Sequence, residues 1–346
     1  MNMKDYGLTP DMTTENEKGI PARVIAVHKE RYALFCEYGE TYGRLKKKEY
    51  YGGFEEFPTV GDFVRIDYIP GSDSRIIATL PRKTFFSRRD PDIGRGEQIV
   101  AANFDYVFIM QSLNQDFNEK RLERYLTLTL QSGAVPVVVL TKADLVEEQE
   151  PYIRCVERIV PGVKVHAISA RSGLGLEGLK SYLEPGKTVA LLGSSGIGKS
   201  SLVNALTGQE LMRVNGIRED DSKGRHTTTH RQLIMLKNGS MIIDTPGMRE
   251  LGMWDVSEGL GEAFADVEQY IGRCRFSNCR HLSEPGCAIK AAIASGELPK
   301  ERWDSYCKLK REAKYSDAKD IRMREKQKRN KGFVKKSDRS KTDWTD

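Results

Sequence analysis

The sequence predicts a multidomain protein in which a small N-terminal β-barrel is followed by a central α/β domain and a mainly helical C-terminal domain. Three observations lead to this prediction. The length of 346 residues exceeds what one hydrophobic core usually organises. Near Asn103 the hydrophobic pattern changes from short alternating strands to continuous apolar strands separated by helix-like stretches. Three of the six cysteines then lie within 14 residues beside a histidine, over 274–287.

Composition and pattern together suggest where the domains begin and end. We expect a polar, flexible leader over 1–19, the barrel over 20–85, the α/β domain over 86–255, the helical domain over 256–320 and a basic tail over 321–346. No apolar run approaches the roughly 20 residues needed to cross a bilayer, and the leader lacks the apolar segment of a secretory signal. The few cysteines are typical of a reducing compartment. We therefore expect a cytoplasmic monomer with no membrane partner.

The net charge of +6 is concentrated at the C-terminus. Residues 308–346 carry 15 Lys and Arg against 7 Asp and Glu, which leaves the first 307 residues close to neutral. The body of the protein is therefore not a generally polyanion-binding surface, and sequence-indifferent RNA contact is expected of the tail. A merely solubilising tail is the alternative.

The barrel is predicted from short strands joined by glycine-rich and charged turns. Val64, Ile66 and Tyr68 alternate with Arg65 and Asp67, the period of a half-buried strand. Further strand candidates are Ala22–Val27, Tyr32–Tyr38 and Arg75–Leu80. Five such strands in ~65 residues suit a barrel of the OB type, although an SH3-like barrel has almost the same pattern.

The central domain is predicted from buried strands that alternate with helices. The candidate strands are Tyr106–Met110, Val135–Leu140, Val163–Ile168, Thr188–Leu192 and Ser240–Ile243. Apolar residues at helical spacing are found over Asn118–Gln131 and Ser200–Leu206. This alternation predicts a parallel sheet covered on both faces.

A phosphate-binding loop follows one of these strands. The segment 193–200 matches G-x-x-x-x-G-K-[ST] between the strand Thr188–Leu192 and a helix beginning at Ser201. Glycines allow successive N–H groups to converge on phosphate oxygens at a helix N-terminus, which a plain connecting turn would not require. Lys199 can reach the β- and γ-phosphates in a binding and catalytic role, and the Ser200 hydroxyl can ligate Mg²⁺. The nucleotide-binding residues assigned here are Gly193, Ser194, Ser195, Gly196, Ile197, Gly198, Lys199, Ser200 and Ser201.

Guanine is indicated as the base by motifs at other strand ends. Thr141-Lys142-Ala143-Asp144 is similar to the [NT]-K-x-D motif, in which the carboxylate accepts from guanine N1–H and N2–H₂ and the lysine stem covers the base. Ser169-Ala170 follows the next strand, where a backbone amide would contact guanine O6. Asp244-Thr245-Pro246-Gly247 supplies a carboxylate toward Mg²⁺ and the Gly247 N–H toward the γ-phosphate. Together these elements favour GTP over ATP.

The order of these motifs is permuted, because the guanine elements precede the phosphate loop. The same sheet can be built with its chain ends moved, since only the geometry at the strand ends matters to the ligand. Residues 173–178 also spell G-x-G-x-x-G, but no acidic residue follows at the end of a second strand. We interpret that segment as a turn and a helix start.

A metal site is predicted from Cys274, Cys279, His281 and Cys287. Three thiolates and one imidazole suit a closed tetrahedral Zn²⁺ site, which leaves no open position for catalysis. The surrounding segment has little apolar content and would hardly fold without metal. Cys36, Cys155 and Cys307 have no such neighbours, and we expect them to be ordinary structural residues.

The permuted order, the phosphate loop, the segment Gly224–Thr229, the element Asp244–Gly247 and the Cys/His set together resemble the RsgA (YjeQ) family. The resemblance covers nearly the whole chain and implies an OB-type barrel, a circularly permuted GTPase domain and a zinc domain. It also implies GTP hydrolysis in late maturation of the small ribosomal subunit, with the subunit and its rRNA as partners. By the resemblance, Thr228 would ligate Mg²⁺ in the GTP state.

Two positions qualify what the resemblance implies. Thr141 stands where many members have Asn, whose side chain helps tie the guanine loop to the phosphate loop, so we expect somewhat lower base affinity. Met248 and Arg249 follow Gly247, and an apolar methionine cannot orient water. His226 is the best internal candidate for a catalytic role. The alternative is a loop histidine that contacts RNA or only shapes the switch segment.

An RNA partner is favoured by the barrel, and a protein partner is the rival hypothesis. Charged residues and stacking rings are mixed at Arg44, Lys46, Lys47, Lys48, Tyr50 and Tyr51. A solvated basic strand edge would explain these residues equally well without the resemblance. The rival class is a GTP-binding switch that acts on a protein, with the barrel as an adaptor.

Overall fold

The structure, a computed structural model, describes residues 2–12, 18–28, 31–45, 57–89, 97–114, 116–209, 232–244 and 256–314. The chain divides into two compact units. The first unit comprises Met1–Phe86 and Ile99–Glu250, and the second comprises Ser87–Gln98 and Leu251–Asp346. Within the described ranges, no helix is both long enough and apolar enough to span a membrane.

The first five strands close into a barrel. They are β1 (Ile20–Val27), β2 (Tyr32–Cys36), β3 (Gly39–Leu45), β4 (Phe63–Asp67) and β5 (Ser74–Thr79). Neighbours follow the order β1-β2-β3-β5-β4, and β4 pairs back onto β1. Val24, Leu34, Ile66 and Ile76 are fully buried inside, which explains the alternation seen in the sequence. The closed five-stranded ring confirms the predicted barrel, and its crossed strand order fits the OB type.

The α/β part of the first unit contains a six-stranded, mostly parallel sheet. Its strands are β8 (Tyr106–Ser112), β9 (Val135–Thr141), β10 (Lys164–Ala167), β11 (Thr188–Leu192), β12 (Gln232–Met235) and β13 (Met241–Asp244). The order is β10-β9-β8-β11-β13-β12, and only β12 runs antiparallel to its neighbour. The helices are α1 (Glu119–Gln131), α2 (Glu150–Ile159) and α3 (Lys199–Thr207). This arrangement confirms the predicted parallel sheet.

The sheet positions the functional loops because its parallel strands end at one edge. One face of the sheet packs Phe108, Met110, Val139 and Leu191 against Leu202 of α3. Helix α1 begins where the Asn118 carboxamide accepts from the N–H of Arg121, a typical N-cap. The loops that follow β8, β9, β10, β11 and β13 are therefore brought together at the carboxyl edge.

The barrel and the α/β sheet are joined within the first unit. Strand β1 pairs antiparallel with β12 at Ala26 and Gln232. The Arg23 guanidinium, 1% exposed, contacts the Tyr6 carbonyl and donates to the Asn103 carbonyl at 2.8 Å and to Thr188 Oγ1 at 3.0 Å. Burial lowers the pKa of Arg23 to about 10. The sequence pattern did not reveal this connection.

Residues 2–12, which we expected to belong to a flexible leader, pack against other residues of the first unit. The Tyr6 ring stacks on Phe35 with centroids 3.9 Å apart, and Met3 is buried. The Lys83 ammonium pairs with Asp11 at 2.9 Å. A segment that looks polar on average thus places its few apolar side chains against an apolar surface.

The second unit is mainly helical, as predicted. Its helices are α4 (Ser257–Ala263), α5 (Ala265–Glu268), α6 (Ala288–Ser295) and α7 (300–314). The Arg302 guanidinium binds both oxygens of Asp266 at 2.9 Å and lies 3.9 Å from the centroid of the Phe264 ring. Tyr306, 1% exposed, donates to Glu268 at 2.5 Å. Strands β6 (Phe85–Arg89) and β7 (Glu97–Ala102) pair as a two-stranded ribbon, and the bounds of the two units in the chain fall within these strands.

Candidate functional site: a nucleotide site and a metal cluster

The phosphate loop lies between β11 and α3, as the motif requires. Gly196 and Gly198 have φ of 76° and 106°, the left-handed region in which glycine is favoured. A Cβ on Gly193 would meet the Met110 carbonyl oxygen at 3.0 Å, so the loop packs directly against β8. The Lys199 ammonium donates to the carbonyls of Gly193 at 2.7 Å and Ser194 at 2.8 Å. The loop is thus held in a curled form by its own lysine.

The predicted guanine elements lie side by side at the ends of β9 and β10. The N–H of Ala143 donates to the Ile168 carbonyl at 3.0 Å, which joins the two loops. Lys142 has a left-handed φ of 58°, and Asp144 is exposed at the loop surface. Ser169 is buried, and its hydroxyl accepts from the N–H of Ser172 at 3.2 Å. The Asp144 carboxylate is therefore free to meet a base from solvent.

Thr141 connects the guanine loop to the phosphate loop. Its hydroxyl oxygen lies 2.6 Å from the Ile197 carbonyl oxygen and 3.2 Å from that of Gln111. A hydroxyl has one proton to donate, and the shorter contact takes it. Thr141 is 4% exposed and Ile197 1%. A hydrogen bond between the end of β9 and the phosphate loop is therefore present with threonine at this position. Somewhat lower base affinity stays a prediction.

Asp244 ends β13 beside the phosphate-loop strand, where it pairs in register with Leu191 of β11. Its carboxyl group is 5% exposed, and Oδ1 is buried with no hydrogen-bond partner among the residues that the structure describes. Burial raises the pKa of Asp244, and the positive charge of Lys199 opposes that rise. A buried, unpartnered carboxylate oxygen next to a phosphate loop suits a hard cation such as Mg²⁺. Ser200, in the first turn of α3, carries a hydroxyl oxygen that could hold such an ion together with Asp244.

Three predicted site residues lie outside the described ranges. They are His226, Thr228 and Gly247. The other predicted nucleotide residues lie at the carboxyl edge of the sheet, in strand ends, in the loops that follow them or in the first turn of α3: Thr141, Lys142, Ala143, Asp144, Ser169, Ala170, Gly193, Ser194, Ser195, Gly196, Ile197, Gly198, Lys199, Ser200, Ser201 and Asp244.

The segment spelling G-x-G-x-x-G is a turn and a short helix, as interpreted from the sequence. Gly175 has a left-handed φ of 70°, and a Cβ there would meet the Ala167 carbonyl oxygen at 2.2 Å. A 3-10 helix then runs over Leu176–Tyr182. Glycine at 175 allows this close approach to the backbone of β10.

The four predicted metal ligands form one cluster in the second unit. The three Sγ atoms and the nearest imidazole nitrogen all lie within 4.8 Å of one another. His281 Nδ1 is 3.5 Å from the Sγ atoms of both Cys274 and Cys287. Tetrahedral Zn²⁺ with bonds of ~2.3 Å to sulfur and ~2.0–2.1 Å to nitrogen separates these atoms by about 3.5 Å. The two distances from His281 Nδ1 therefore match those between nitrogen and sulfur ligands of one zinc ion.

Neighbouring groups orient the cluster. Burial tends to raise the pKa of Cys274, but the backbone N–H of Ala288 and the thiols of Cys279 and Cys287 outweigh it, so the pKa is lowered. A lowered pKa favours the thiolate of Cys274, and the thiolate is the form that binds metal. The Glu284 carboxylate accepts three backbone N–H groups of the ligand loop, at 2.9–3.1 Å, and these bonds lower its pKa to about 2. Sequence reasoning missed Glu284, although its place three residues after His281 is visible.

Comparison with known proteins agrees with this geometry. The family model described as RsgA GTPase matches residues 79–254. The chain is 45% identical over 318 residues to the small ribosomal subunit biogenesis GTPase RsgA 2 of Listeria monocytogenes serotype 4b (strain F2365), covering 91% of this chain and 90% of that protein. The chain belongs to the RsgA GTPase family. The family's RsgA 2 from Lactiplantibacillus plantarum is 43% identical over 321 residues, with 91% of this chain and 90% of that protein covered.

Two solved structures share the fold of this chain. YjeQ from Thermotoga maritima matches with a TM-score of 0.62 and 27% identity, over 84% of this chain and 96% of that chain. YloQ, described as a circularly permuted GTPase, matches in fold with a TM-score of 0.59 over 87% of this chain and 98% of that chain. The family model and the curated relatives show that the chain is a GTP-hydrolysing enzyme of the RsgA family. Its fold is shared with a circularly permuted GTPase, as the order of the motifs predicts.

One residue near the site was missed by sequence reasoning. Asp116, in the loop after β8, accepts from the hydroxyl of Ser194 at 3.1 Å. The two residues are 78 positions apart, and no local motif marks the aspartate. Only the neighbouring positions of β8 and β11 in the sheet bring them together.

Proposed function

We propose that this GTPase binds the small ribosomal subunit, assists a late step of its maturation in the cytoplasm and is stimulated by the subunit. The observation that carries the proposal is similarity over 91% of the chain to a protein named a small ribosomal subunit biogenesis GTPase. The permuted nucleotide site and the metal cluster both lie in a chain that matches this relative almost end to end. We further propose that it acts as a monomer.

In this proposal the protein contacts GTP at both ends of the nucleotide, the phosphates and the guanine base. Backbone N–H groups of 193–201 receive the phosphates, and Lys199 exchanges its carbonyl contacts for β- and γ-phosphate oxygens. Asp144 accepts from guanine N1–H and N2–H₂, while the Lys142 stem covers the ring. The Ala170 N–H donates to guanine O6. The exposed Asp144 carboxylate and the left-handed glycines support these roles.

The proposed Mg²⁺ ligands are Ser200, Asp244 and, outside the described residues, Thr228. Bound Mg²⁺ would neutralise charge on the β- and γ-phosphates. The orphaned Asp244 Oδ1 supports this assignment. The Gly247 N–H would donate to the γ-phosphate.

Hydrolysis by the free protein is proposed to be slow. Met248, which follows Gly247, cannot orient water, so a polar group from elsewhere must do so. We assign this role to His226, two residues before Thr228. Binding of the subunit would order the switch segment and lower the barrier by positioning.

The Cys274, Cys279, His281 and Cys287 cluster is proposed to hold one structural Zn²⁺. The 3.5 Å spacings around His281 Nδ1 support this assignment. Four protein ligands leave no open position, so the ion would hold the second unit together and take no part in hydrolysis.

RNA contact by the barrel is part of the same proposal. Tyr38 and Tyr42 are exposed at 64% and 42%, and the Arg31 guanidinium lies 3.7 Å from the centroid of the Tyr42 ring. Exposed rings beside arginines suit base stacking and phosphate contact. Arg44 is also exposed, and it pairs with Asp73 at 2.6 Å. The other sequence-predicted RNA residues, Lys46, Lys47, Lys48, Tyr50 and Tyr51, lie outside the described ranges.

The proposal is tested by co-sedimentation with isolated small subunits in a non-hydrolysable GTP analogue and in GDP. We expect binding that is tighter with the analogue. Single-turnover hydrolysis is then measured with and without subunits, for the parent and for His226→Ala. Equal rates with and without subunits would contradict stimulation. Full stimulation of a His226→Ala protein that binds normally would remove the histidine from the chemistry. Absence of subunit binding in both nucleotides would favour a protein partner.

A further inference from the structure

The Asp116 carboxylate attaches the loop between β8 and α1 to the phosphate loop. Asp116 Oδ2 accepts from the hydroxyl of Ser194 at 3.1 Å, and Oδ1 pairs with the Arg121 guanidinium at 3.1 Å. Ser194 is 5% exposed, so its hydroxyl has little access to water. The carboxylate thus connects the start of α1 to the first variable position of the phosphate loop.

Asp116 is itself held in place. The Arg121 guanidinium also contacts the Asp116 carbonyl, and the Asp116 N–H donates to the Asn114 carboxamide at 3.0 Å. Arg121 belongs to the first turn of α1, which is capped by Asn118. The aspartate is therefore presented by a helix start and is a rigid acceptor for a serine on a loop.

The same serine is held on its other side by the lysine of the site. The Ser194 carbonyl accepts from the Lys199 ammonium at 2.8 Å, while its side chain donates to Asp116. Rotation of this residue would disturb the carbonyl and the N–H groups that curl around the β-phosphate position. The hydroxyl contact with Asp116 opposes that rotation.

We infer that Asp116 is a positioning residue for nucleotide binding, which acts through Ser194 and has no contact with GTP itself. This inference rests on the proposed phosphate-loop assignment. Ser194 belongs to the part of the loop whose N–H groups curl around the β-phosphate position, which GTP and GDP share, so the contribution of Asp116 is uniform binding. Loss of the carboxylate therefore weakens both nucleotides alike and leaves kcat at saturating GTP unchanged.

The experiment measures equilibrium affinity for GDP and for a non-hydrolysable GTP analogue with the full-length protein. Asp116→Ala and Ser194→Ala should each weaken both nucleotides by about three- to tenfold, the range for a hydrogen bond to a charged acceptor that is half exposed. The double variant should be no weaker than either single variant, because both remove one contact. Asp116→Asn retains an oxygen acceptor and should recover most of the affinity.

The matched control is Glu119→Ala, which removes a carboxylate from the same helix start. The Glu119 carboxylate is half exposed and pairs with Arg158 of α2 at 3.8 Å. Its variant should bind both nucleotides as the parent does. Thermal unfolding without nucleotide shows whether Asp116→Ala is folded. If it is not folded, Ser194→Ala tests the same hydrogen bond from its other partner.

Three outcomes would overturn the inference. The first is Asp116→Ala that binds as tightly as Glu119→Ala. The second is a double variant whose loss is the product of the two single losses, which indicates independent effects. The third is a fall in kcat without a fall in affinity. A Lys199→Ala variant distinguishes failure of this inference from failure of the proposed nucleotide site. If Lys199→Ala binds nucleotide normally, the phosphate-loop assignment itself is wrong.

Discussion

Replacement of Thr141 by valine tests the connection between the two halves of the nucleotide site. Valine keeps the shape of the side chain and removes the hydroxyl that donates to the Ile197 carbonyl at 2.6 Å. This hydrogen bond joins the end of β9, which leads into the guanine loop, to the phosphate loop. The Thr141→Val protein should therefore lose stability and also bind both GTP and GDP less tightly.

The magnitude follows from burial. Thr141 and Ile197 are 4% and 1% exposed, so water does not readily replace the lost donor. Leaving a buried acceptor without its donor costs ~1–3 kcal/mol, which we expect in the free energy of unfolding. Nucleotide binding must then restore the spacing of the loops. If restoring this spacing costs the net free energy of one hydrogen bond, ~1 kcal/mol, nucleotide affinity falls by about fivefold.

Thr129→Val is the matched control. Thr129 is fully buried in α1, and its hydroxyl donates to the Tyr125 carbonyl at 2.8 Å within the same helix. That carbonyl belongs to the helical ladder, and the bond joins no loops. Urea unfolding and fluorescence titration of GDP are measured for both variants. We expect unchanged nucleotide affinity for Thr129→Val.

Two outcomes of the nucleotide titrations would contradict this reasoning. If Thr141→Val binds GDP and GTP as tightly as the parent, the tie does not contribute to binding. If both valine variants weaken nucleotide equally, the effect comes from general loss of stability and is not due to the contact with Ile197.

The remaining predictions concern the base, the metal and the tail. Asp144→Asn places a donor opposite guanine N1–H and N2–H₂, so GTP affinity should fall and xanthosine triphosphate affinity should rise; unchanged GTP affinity by titration calorimetry would sink the assignment. Metal analysis should find about one Zn²⁺ per chain, and Cys279→Ser should unfold the second unit while nucleotide binding persists; a native helical spectrum in metal-free protein would refute this. Truncation after Lys314 removes 11 Lys and Arg against 6 Asp and Glu, so subunit affinity and its salt dependence should both decrease; an unchanged salt slope would indicate a solubilising tail.

The truncation point illustrates how the tertiary structure changes an experiment. The charge excess in the sequence begins at Lys308, which suggests a cut after Cys307. In the structure, Leu309 and Ala313 are buried in α7. A cut after Cys307 would expose the core of the second unit and confuse loss of charge with loss of folding. Burial of these two residues depends on their neighbours in space, which the charge pattern does not show.

Local motifs in this chain were readable from the sequence because their chemistry lies in consecutive residues. The curl at 193–200 depends on glycine conformation and on a lysine that reaches back to its own loop. The four predicted metal ligands lie within 14 residues, so short loops suffice to bring them together. Strand identity followed from hydrophobic period, since a strand buried on both faces must be apolar throughout.

Contacts between distant segments were decided by the tertiary structure alone. The bonds from Thr141 to Ile197 and from Ser194 to Asp116 span 56 and 78 positions. They exist because β8 lies between β9 and β11, a strand order that hydrophobic period does not specify. The same is true of Arg23 and of the leader, whose packing depends on which surfaces meet. Periodicity reports whether a side chain is buried, and only the assembled sheet determines what it is buried against.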